Sequence, residues 1–413
     1  MDNKKKNVES LKRDCTGCGA CAVVCKQNAI TYDLDVNGFY SVKVARNLCV
    51  ECGKCLTVCG KNIADENLSN ISNKKTYAAC SKEKNILECS TSGGIAYEIA
   101  KMYLTQDGVI FGTAFDLHEN VCKIIKVSNE NELRKLQGSK YIQSNTVHGF
   151  KEVVAIAKRN PTQKILVFGT PCQIYGINKV LEMERVRDRC VCVEVFCHGV
   201  PSKLLWDKYL EETKKKNHMN TDVSEVSFRS KKYGWHMYTM KLATKDKSYY
   251  VTSEASDFYR VYFEHAALNK SCIACRFREG YSAADIRLGD FWGNNFIKNE
   301  EGVSAVIPLT EQGKYVWDRL KKNVDLLGEY DSESCIKYQS IKKYEIDRKL
   351  IDEVLELLKS EMSLGEIIKR YRKQFDFKAR LRLFEKDMLS LFPAKYKMIL
   401  KRAYNFTRNK FKG

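Results

Sequence analysis

Two cysteine runs near the N-terminus constrain this chain more than any other feature. The first runs Cys15-Thr-Gly-Cys18-Gly-Ala-Cys21-Ala-Val-Val-Cys25, and the second, from Cys49 to Cys59, repeats its C-x2-C-x2-C-x3-C spacing. Such spacing lets one tight loop supply three thiolates to a cubane, and the fourth cysteine of each run ligates the other cluster. We therefore predict two 4Fe–4S clusters, with the ligand sets Cys15, Cys18, Cys21, Cys59 and Cys49, Cys52, Cys55, Cys25.

Zinc knuckles and disulfides are the alternative interpretations of these cysteines. Zinc knuckles use four Cys or His ligands in two spaced pairs, which fits two identical four-cysteine runs less well. Disulfide frameworks are typical of small secreted chains, whereas this one has 413 residues. Lys26 and Gly60 stand where a proline usually follows the fourth cysteine. Proline is not a ligand, so the clusters are expected despite this departure.

The rest of the chain divides into two further regions. We expect a ferredoxin domain at 1–65, an Asn/Ser/Lys-rich linker over 65–75, a mixed α/β domain at 76–330 and a helical region at 331–413. Alternating apolar segments between 93 and 214 predict βαβ units with a largely parallel sheet, and antiparallel strands are expected after 221. The polar, lysine-rich start and the absence of an apolar run of roughly 20 residues favour a cytoplasmic protein.

A second group of cysteines follows predicted strands and a loop. Cys172 comes directly after an apolar strand, Cys197 after the next one, and Cys272 and Cys275 form a C-x2-C pair. The carboxyl ends of parallel strands meet at one edge, where open α/β sheets bind ligands. These four predict a third 4Fe–4S cluster, although a buried thiol or a redox dithiol is the plainer alternative. Cys190 and Cys192 are expected in the core, and the remaining cysteines have no partner pattern: Cys80, Cys89, Cys122 and Cys335.

Three polar motifs also suggest a binding site. Ser90-Thr-Ser-Gly93-Gly94 opens an apolar helix, where free N–H groups suit a phosphate, although a simple helix cap explains it equally well. The segments 137–144 (QGSKYIQS) and 285–293 (DIRLGDFWG) have residue patterns more specific than a purely structural role would require. Neither a G-x-G-x-x-G nor a Walker motif is present.

The formal charge of +19 is concentrated in the C-terminal tail. Residues 366–413 carry 15 Lys/Arg against 4 Asp/Glu, a net +11 that leaves +8 for the rest. Such a tail is most often a solvated helical face, and docking to an acidic partner or a membrane surface is the alternative. The tail also contains aromatic residues, but nucleic-acid binding remains the least favoured role.

Taken in order, these motifs resemble the coenzyme F-420 hydrogenase/dehydrogenase beta-subunit family. The resemblance runs from about residue 14 to 308 through the ferredoxin runs, STSGG, GSKYIQS, GTPCQI, CHGVPS, C-x2-C and DIRLGDFWG. Members of this family pass electrons between iron–sulfur clusters and FAD. The resemblance implies a third cluster on Cys172, Cys197, Cys272 and Cys275. It also implies FAD contacts from Ser92, Gly93, Gly94, Ser139, Lys140, Tyr141, Thr170, Pro171 and Gln173.

Two functions from different classes are expected from this resemblance. The first is an FAD- and iron–sulfur-dependent oxidoreductase acting on a deazaflavin or another small acceptor. The second is an electron-transfer subunit that docks to a partner enzyme, for example in polysaccharide biosynthesis, and has no substrate site of its own. No nucleophile is required in either case, because the cofactors carry the chemistry. His198 and Lys140 are the candidates for proton delivery.

Overall fold

The computed structural model describes residues 7–62, 68–339 and 344–393, together with residue 396. Its strands are β1 (Ile30–Leu34), β2 (Tyr40–Val44), β3 (Ser69–Asn70), β4 (Lys75–Cys80), β5 (Val109–Asp116), β6 (Val121–Val127), β7 (Ser144–Asn145), β8 (Ile165–Gly169), β9 (Cys190–Val195), β10 (Glu225–Ser230), β11 (Thr239–Ala243), β12 (Ser248–Thr252), β13 (Tyr281–Ser282), β14 (Ile286–Asp290), β15 (Ser304–Pro308) and β16 (Asp325–Asp331). Its helices are α1 (Ala20–Val24), α2 (Lys54–Thr57), α3 (Lys84–Cys89), α4 (Ile95–Leu104), α5 (Glu130–Leu133), α6 (Val147–Arg159), α7 (Pro171–Met183), α8 (Lys203–Lys216), α9 (Asp257–Phe263), α10 (Glu311–Leu320), α11 (Glu333–Ile336), α12 (Arg348–Leu358), α13 (Leu364–Arg372) and α14 (Phe377–Ser390).

The ferredoxin-type part consists of a β-hairpin and two short helices. β1 and β2 pair antiparallel, from Ile30 opposite Val44 to Leu34 opposite Tyr40. Each cysteine run enters a short helix through a glycine in the left-handed region, Gly19 before α1 (φ 76°) and Gly53 before α2 (φ 74°). A residue with a Cβ is strained in that conformation. The sequence repeat is therefore also a repeat of local structure.

Nine strands of the described chain form one mixed sheet, in the order β16-β4-β15-β14-β9-β8-β5-β6-β7. The central strands β14, β9, β8 and β5 run parallel, as do β6 and β7. The other four pairings in this sheet are antiparallel. The expected largely parallel sheet is thus correct only at the centre. The four residues between β5 and β6 are too few for a parallel crossover, so these strands form a hairpin.

Both faces of the central strands are covered, which explains their continuous apolar sequences. On one face, α4 and α10 contribute Ile95, Ile99 and Trp317 to a core with Leu166 of β8. On the other face, a second core includes Ile174 and Ile177 of α7 and extends to Ala20, Val24 and Val42 of the ferredoxin-type part. The ferredoxin-type part is therefore packed directly onto the sheet domain, and the two share a core.

The expected linker is partly structured. Residues 63–67 lie outside the described part, but β3 pairs with β13 and Ile71 is fully buried. Residues 68–75 thus pack against the sheet domain. The sequence pattern predicts a helix over 256–268 and a strand over 236–244. In the structure, α9 ends at Phe263 and β11 begins at Thr239.

The C-terminal helices α12 and α13 pack on the mixed domain. Ile351, Val354 and Ile367 share a core with Trp206 of α8 and Phe258 of α9. The three-stranded antiparallel sheet β10-β11-β12 contributes to the same core. Residues 340–343, 394–395 and 397–413 of the expected helical region lie outside the described residues. Within the described ranges, no helix is both long and apolar enough to cross a membrane.

Candidate functional site

The first cysteine group consists of Cys15, Cys18, Cys21 and Cys59. Burial raises the pKa of Cys59 to about 11, and Cys18 raises it further. Burial also raises the pKa of Cys15 and of Cys21, with Cys59 contributing to both shifts. Cys59 belongs to the second run, yet it lies against the cysteines of the first. This position of Cys59 agrees with one half of the exchange of fourth cysteines that the spacing predicts for a pair of cubanes, and the ligand assignment itself stays a prediction.

The second cysteine group lies nearer the surface. Burial raises the pKa of Cys55, and the neighbouring thiols of Cys49 and Cys52 raise it further. Cys52 is exposed, whereas Cys21 of the first group is buried. Cys25 follows the last residue of α1, and its assignment to this group stays a prediction. A cluster held here would be the one most accessible to an external electron carrier.

The third group brings together four cysteines that are far apart in the sequence. Cys172 lies in the first turn of α7, Cys197 follows β9, and Cys272 and Cys275 lie in the turns after α9. Burial raises the pKa of Cys197 to about 11, and the thiol of Cys275 raises it further. Burial likewise raises the pKa of Cys272 to about 12, with contributions from Cys197 and Cys275. Burial also raises the pKa of Cys172, and the thiols of Cys197 and Cys275 contribute. The fold therefore brings these four cysteines near one another, and their binding of a cluster stays a prediction.

The first and third groups adjoin one another. A Cβ on Gly176, one helical turn beyond Cys172, would stand 3.2 Å from Cys18 Sγ. The side-chain amide of Asn269 donates to the Cys15 carbonyl at 3.2 Å, while the Asn269 carbonyl accepts from the Cys272 N–H at 2.8 Å. After burial, the thiol of Cys18 is the largest cause of the raised pKa of Cys172. The first and third cysteine groups are therefore neighbours in the structure.

The chemistry of the third group fits an anionic cluster. In the described residues, no three His, Cys, Asp or Glu side chains are arranged to hold a single metal ion. A cubane binds each thiolate at a different iron, so its ligands stand further apart than those of one ion. Arg278 lies beside this group, and its positive charge lowers the pKa of Cys197. Its Nε and Nη1 atoms are buried without hydrogen-bond partners. Buried cationic donors are costly unless an anionic group faces them.

A bridging segment, residues 137–146, connects the first cysteine group with the helix-start loop at 90–94. At one end, the Ser139 N–H donates to Thr91 Oγ1 at 2.8 Å. At the other, Thr146 Oγ1 donates to the Cys18 carbonyl at 2.8 Å. Between them, Gln143 accepts from the Tyr40 N–H at 2.7 Å. One short segment therefore touches the ferredoxin-type part and the edge of the sheet where ligands are expected.

The predicted FAD-contacting residues lie along this same edge of the sheet. β4 runs in the direction of β14, since each is antiparallel to β15, so the loops after β4, β8, β9 and β14 share one edge. Gln173 Nε2 donates to Ser144 Oγ at 2.9 Å, which joins the loop after β8 to the bridging segment. The Gln173 carboxamide also accepts from the Thr170 N–H at 2.9 Å, next to Pro171. The three predicted stretches are thus brought together.

The glycines of the helix-start loop are also required by the local backbone structure. A Cβ on Gly93 would stand 2.4 Å from the Ala79 carbonyl, and Gly94 has φ 81°. Ser92 Oγ donates to the Val303 carbonyl at 2.6 Å. Close packing against β4 and β15 therefore explains Gly93, and the left-handed φ explains Gly94, both without a ligand. The first-turn N–H groups of α4 have no partner within the helix and are the groups suited to an anion.

Two cations near this loop were missed by the sequence reasoning. Lys231 Nζ donates to the carbonyls of Leu87 and Ser92, both at 2.6 Å, and to that of Glu301. Burial lowers its pKa to about 8. Arg229 lies 3.8 Å above the Tyr238 ring and pairs with Asp290 at 3.4 Å. The run Arg229-Ser-Lys-Lys232 after an apolar strand is the signal that could have indicated them.

Arg229 also links two of the predicted motifs. Its Nη1 donates to the hydroxyl of Tyr141 at 3.1 Å, in the bridging segment. Its partner Asp290, in the DIRLGDFWG motif, accepts from Trp235 Nε1 at 2.7 Å. The Trp235 and Trp292 rings stack 4.6 Å apart. The cation is therefore held in an aromatic-lined cluster at the carboxyl end of β14.

The contacts of Lys140 and His198 give each of these side chains a structural role. Lys140 Nζ donates to the carbonyls of Lys135, Leu136 and Gln137, so its three N–H groups fasten the turn before it. Burial lowers the pKa of His198 to about 4, and its Nε2 lies 3.2 Å from His265 Nε2. Proton delivery by Lys140 or His198 stays a prediction.

The remaining cysteines divide by burial. Cys190 and Cys192 are fully buried on β9, as expected for core residues. Cys122 and Cys335 are also fully buried. Cys89 is exposed, at the end of α3. The structure adds no role beyond packing for the buried cysteines and none for Cys89.

Comparison with known families agrees with this geometry. Residues 14–63 match the 4Fe-4S dicluster domain. Residues 162–329 match the C-terminal region of the beta subunit of coenzyme F420 hydrogenase/dehydrogenase. The chain thus contains one region similar to a 4Fe-4S dicluster domain and a second region similar to the C-terminal part of these beta subunits, in the order that the motifs predicted. The helix-start loop and the bridging segment precede the second matched range.

Similarity to individual known proteins is weaker than similarity to these families. No curated protein matches the chain. Among solved structures, it is similar to a chain of the F420-reducing [NiFe] hydrogenase complex from Methanosarcina barkeri. That match has 19% identity and a TM-score of 0.44, and it covers 76% of this chain and 94% of the other.

Proposed function

We propose that this chain is an FAD-dependent iron–sulfur oxidoreductase. In this proposal, electrons move between an external one-electron carrier and FAD through three 4Fe–4S clusters, and a deazaflavin or another small molecule is the two-electron partner. The proposal rests on the spatial order of the three cysteine groups and the helix start. Cys55 of the second group lies near Cys21 and Cys59 of the first, since it contributes to the raised pKa of both. The first group adjoins the third, and the bridging segment connects the first group to the helix start that suits an anion.

The proposed ligands are the twelve cysteines of the three groups. Cys15, Cys18, Cys21 and Cys59 would hold the first cluster, and Cys49, Cys52, Cys55 and Cys25 the second. Cys172, Cys197, Cys272 and Cys275 would hold the third. Burial raises the pKa of several of these thiols, so free thiolates would be costly there. Iron offsets that cost because it binds the deprotonated sulfur.

Arg278 has a defined part in this proposal. Its two unpartnered donors and its charge beside Cys197 would stabilise an anionic cluster, and more strongly the reduced one. A cation beside a cluster raises its reduction potential for this reason. Arg278 would thus help the third cluster to accept an electron from the first.

Flavin, when bound, converts between one-electron and two-electron transfer. In the proposed site, the first turn of α4 binds the phosphates, and Lys231 holds the loop that precedes it by bonding the Ser92 carbonyl. Ser139 is joined to the same loop through Thr91. Thr170, Pro171, Gln173 and Tyr141 would lie beside the ring system. The contribution of these residues is to bind and orient the group and to exclude water.

The second candidate function is an electron-transfer subunit without a substrate site. The exposed position of Cys52 supports it, because a partner enzyme could exchange electrons there as easily as a small carrier. The two candidates differ in one measurable property. Only the first requires a bound flavin that reacts with a small molecule.

Anaerobic purification followed by cofactor analysis tests the proposal. We expect about twelve iron atoms per chain, a number set by three 4Fe–4S clusters, and one FAD in the acid extract. Bound flavin should be bleached by dithionite and reoxidised by a deazaflavin or another small acceptor. Full iron content without flavin, under conditions where free FAD is supplied, would sink the first candidate and leave the second.

A matched pair of variants locates the flavin. Lys231→Met removes the bonds to the Ser92 and Leu87 carbonyls, whereas Lys232→Met changes the neighbouring lysine. We expect weaker FAD retention in the first variant and wild-type retention in the second, with iron unchanged in both. Equal FAD retention in both variants would argue against the loop before α4 as the flavin site.

A further inference from the structure

Helix α14 is attached to the domain through polar contacts. Asp387 Oδ2 pairs with Arg372 Nη1 at 2.6 Å, and Asp387 Oδ1 lies 3.3 Å from Arg260 Nε. Arg260 Nη2 also donates to Ser390 Oγ at 3.4 Å. The side of α14 that faces the protein is therefore held by hydrogen bonds and ion pairs.

Four large apolar side chains of α14 are exposed to solvent. Phe377 is 74% exposed, Leu381 49%, Phe384 60% and Met388 43%, and Leu391 just beyond the helix is 74% exposed. Their spacing of four, three, four and three residues places them along one face of a helix. A surface helix normally turns such a face toward the core. Here the face, which we call the apolar stripe, is turned outward.

Basic residues accompany the stripe. Lys378, Arg380 and Arg382 lie on the same helix; Lys378 and Arg382 are exposed. Residues 377–413 contain 11 Lys/Arg and 2 Asp/Glu, a net +9, and no acidic residue follows Asp387. The sequence beyond the helix also carries aromatic residues, including Tyr396, Tyr404, Phe406 and Phe411.

We propose that α14 docks the protein onto an anionic lipid surface. The helix would lie in the plane of the interface, with the apolar stripe among the acyl chains and the basic residues at the headgroups. A lipid surface offers an apolar layer beside an anionic one along its whole extent, which suits a straight stripe with basic residues beside it. An acidic protein would explain the charge but not five large apolar side chains left in solvent. The proposal does not depend on the clusters or on FAD.

Vesicle co-sedimentation of the full-length protein tests this inference. The probes are vesicles of phosphatidylglycerol mixed with phosphatidylcholine, and vesicles of phosphatidylcholine alone. We expect binding to the first, little binding to the second, and loss of binding as salt is raised, since salt screens exposed charges. The absence of binding to the anionic vesicles at low salt overturns the proposal.

Variants distinguish the contribution of the apolar stripe to vesicle binding from that of the basic residues. The double variant Leu381→Gln/Phe384→Gln, which removes apolar surface without changing the charge, should lower the vesicle partition coefficient at least about tenfold. Tyr315→Gln, at another exposed aromatic residue (60%) on α10, should leave it unchanged. Circular dichroism and cluster absorption check that each variant is folded.

The other possible occupants give different results. If the stripe mediates self-association, light scattering will show a dimer that the double variant abolishes, and vesicles will not be bound. If an acidic protein is the occupant, vesicle binding will be absent or insensitive to the double variant. Either result overturns the membrane proposal.

Discussion

Gly176 lies where helix α7 meets the first cysteine group. A Cβ at this position would stand 2.9 Å from the Cβ of Ala20 and 3.2 Å from Cys18 Sγ. Ala20 is fully buried, so it cannot move aside without shifting the ferredoxin-type part. We predict that Gly176→Ala disturbs both the packing between the two domains and the first cluster.

The magnitude follows from two opposing effects. Forcing a methyl group into a packed core costs about 1–3 kcal/mol. Replacing a helical glycine with alanine stabilises the helix by about 1 kcal/mol. The expected net loss of stability is therefore about 0–2 kcal/mol. Gly365→Ala, in α13, is the matched control, because a Cβ there meets nothing within 4 Å. The difference between the two variants should be about 1–3 kcal/mol, which isolates the clash.

The assay is thermal unfolding under anaerobic conditions, followed by circular dichroism and by loss of cluster absorption. We expect Gly365→Ala to unfold at or above the wild-type temperature and Gly176→Ala below the control. Electron paramagnetic resonance of the reduced protein should show a changed first-cluster signal only in Gly176→Ala. Equal unfolding temperatures and identical spectra in the two variants would refute the close contact between α7 and the first group.

Three further outcomes are expected. Cys272→Ser should lower the iron content by about four atoms per chain, the content of one 4Fe–4S cluster, whereas Cys89→Ser should not change it; equal iron in both would remove Cys272 from the ligands. Arg278→Gln should retain the iron but make the third-cluster potential more negative in a redox titration, because a cation that favours the reduced form is lost; an unchanged potential would contradict its position. Lys231 has a pKa lowered from 10.5 to about 8 by burial, so between these values the unfolded chain binds more protons and wild-type stability should rise with pH. In melts between pH 8 and 10.5, Lys231→Met should show a smaller rise than the wild type, because the pKa of Lys140 is also lowered to about 8 by burial and its contribution remains. An equal rise in both proteins would show that Lys231 is not buried as described.

Much of the local structure was predictable because its causes are local. The apolar periodicity of residues 172–182 predicts a helix, and α7 is observed at Pro171–Met183, with a proline in its first turn. β16 was missed because it is an edge strand whose side chains are mostly exposed and show no alternation. β6 was missed although Cys122, Ile124 and Val127 are buried on it.

The sequence by itself was enough to predict the two N-terminal clusters, because a cubane needs thiolates at short, regular spacing and that spacing is visible in the chain. It also identified Cys172, Cys197, Cys272 and Cys275 as a possible set. Only the tertiary structure decided that these four cysteines meet, that Arg278 lies beside them, and that Gly176 lets the first group approach. These contacts join residues distant in sequence, so no local pattern encodes them. The periodicity of α14 likewise predicts an apolar face, but only packing decided that this face points outward.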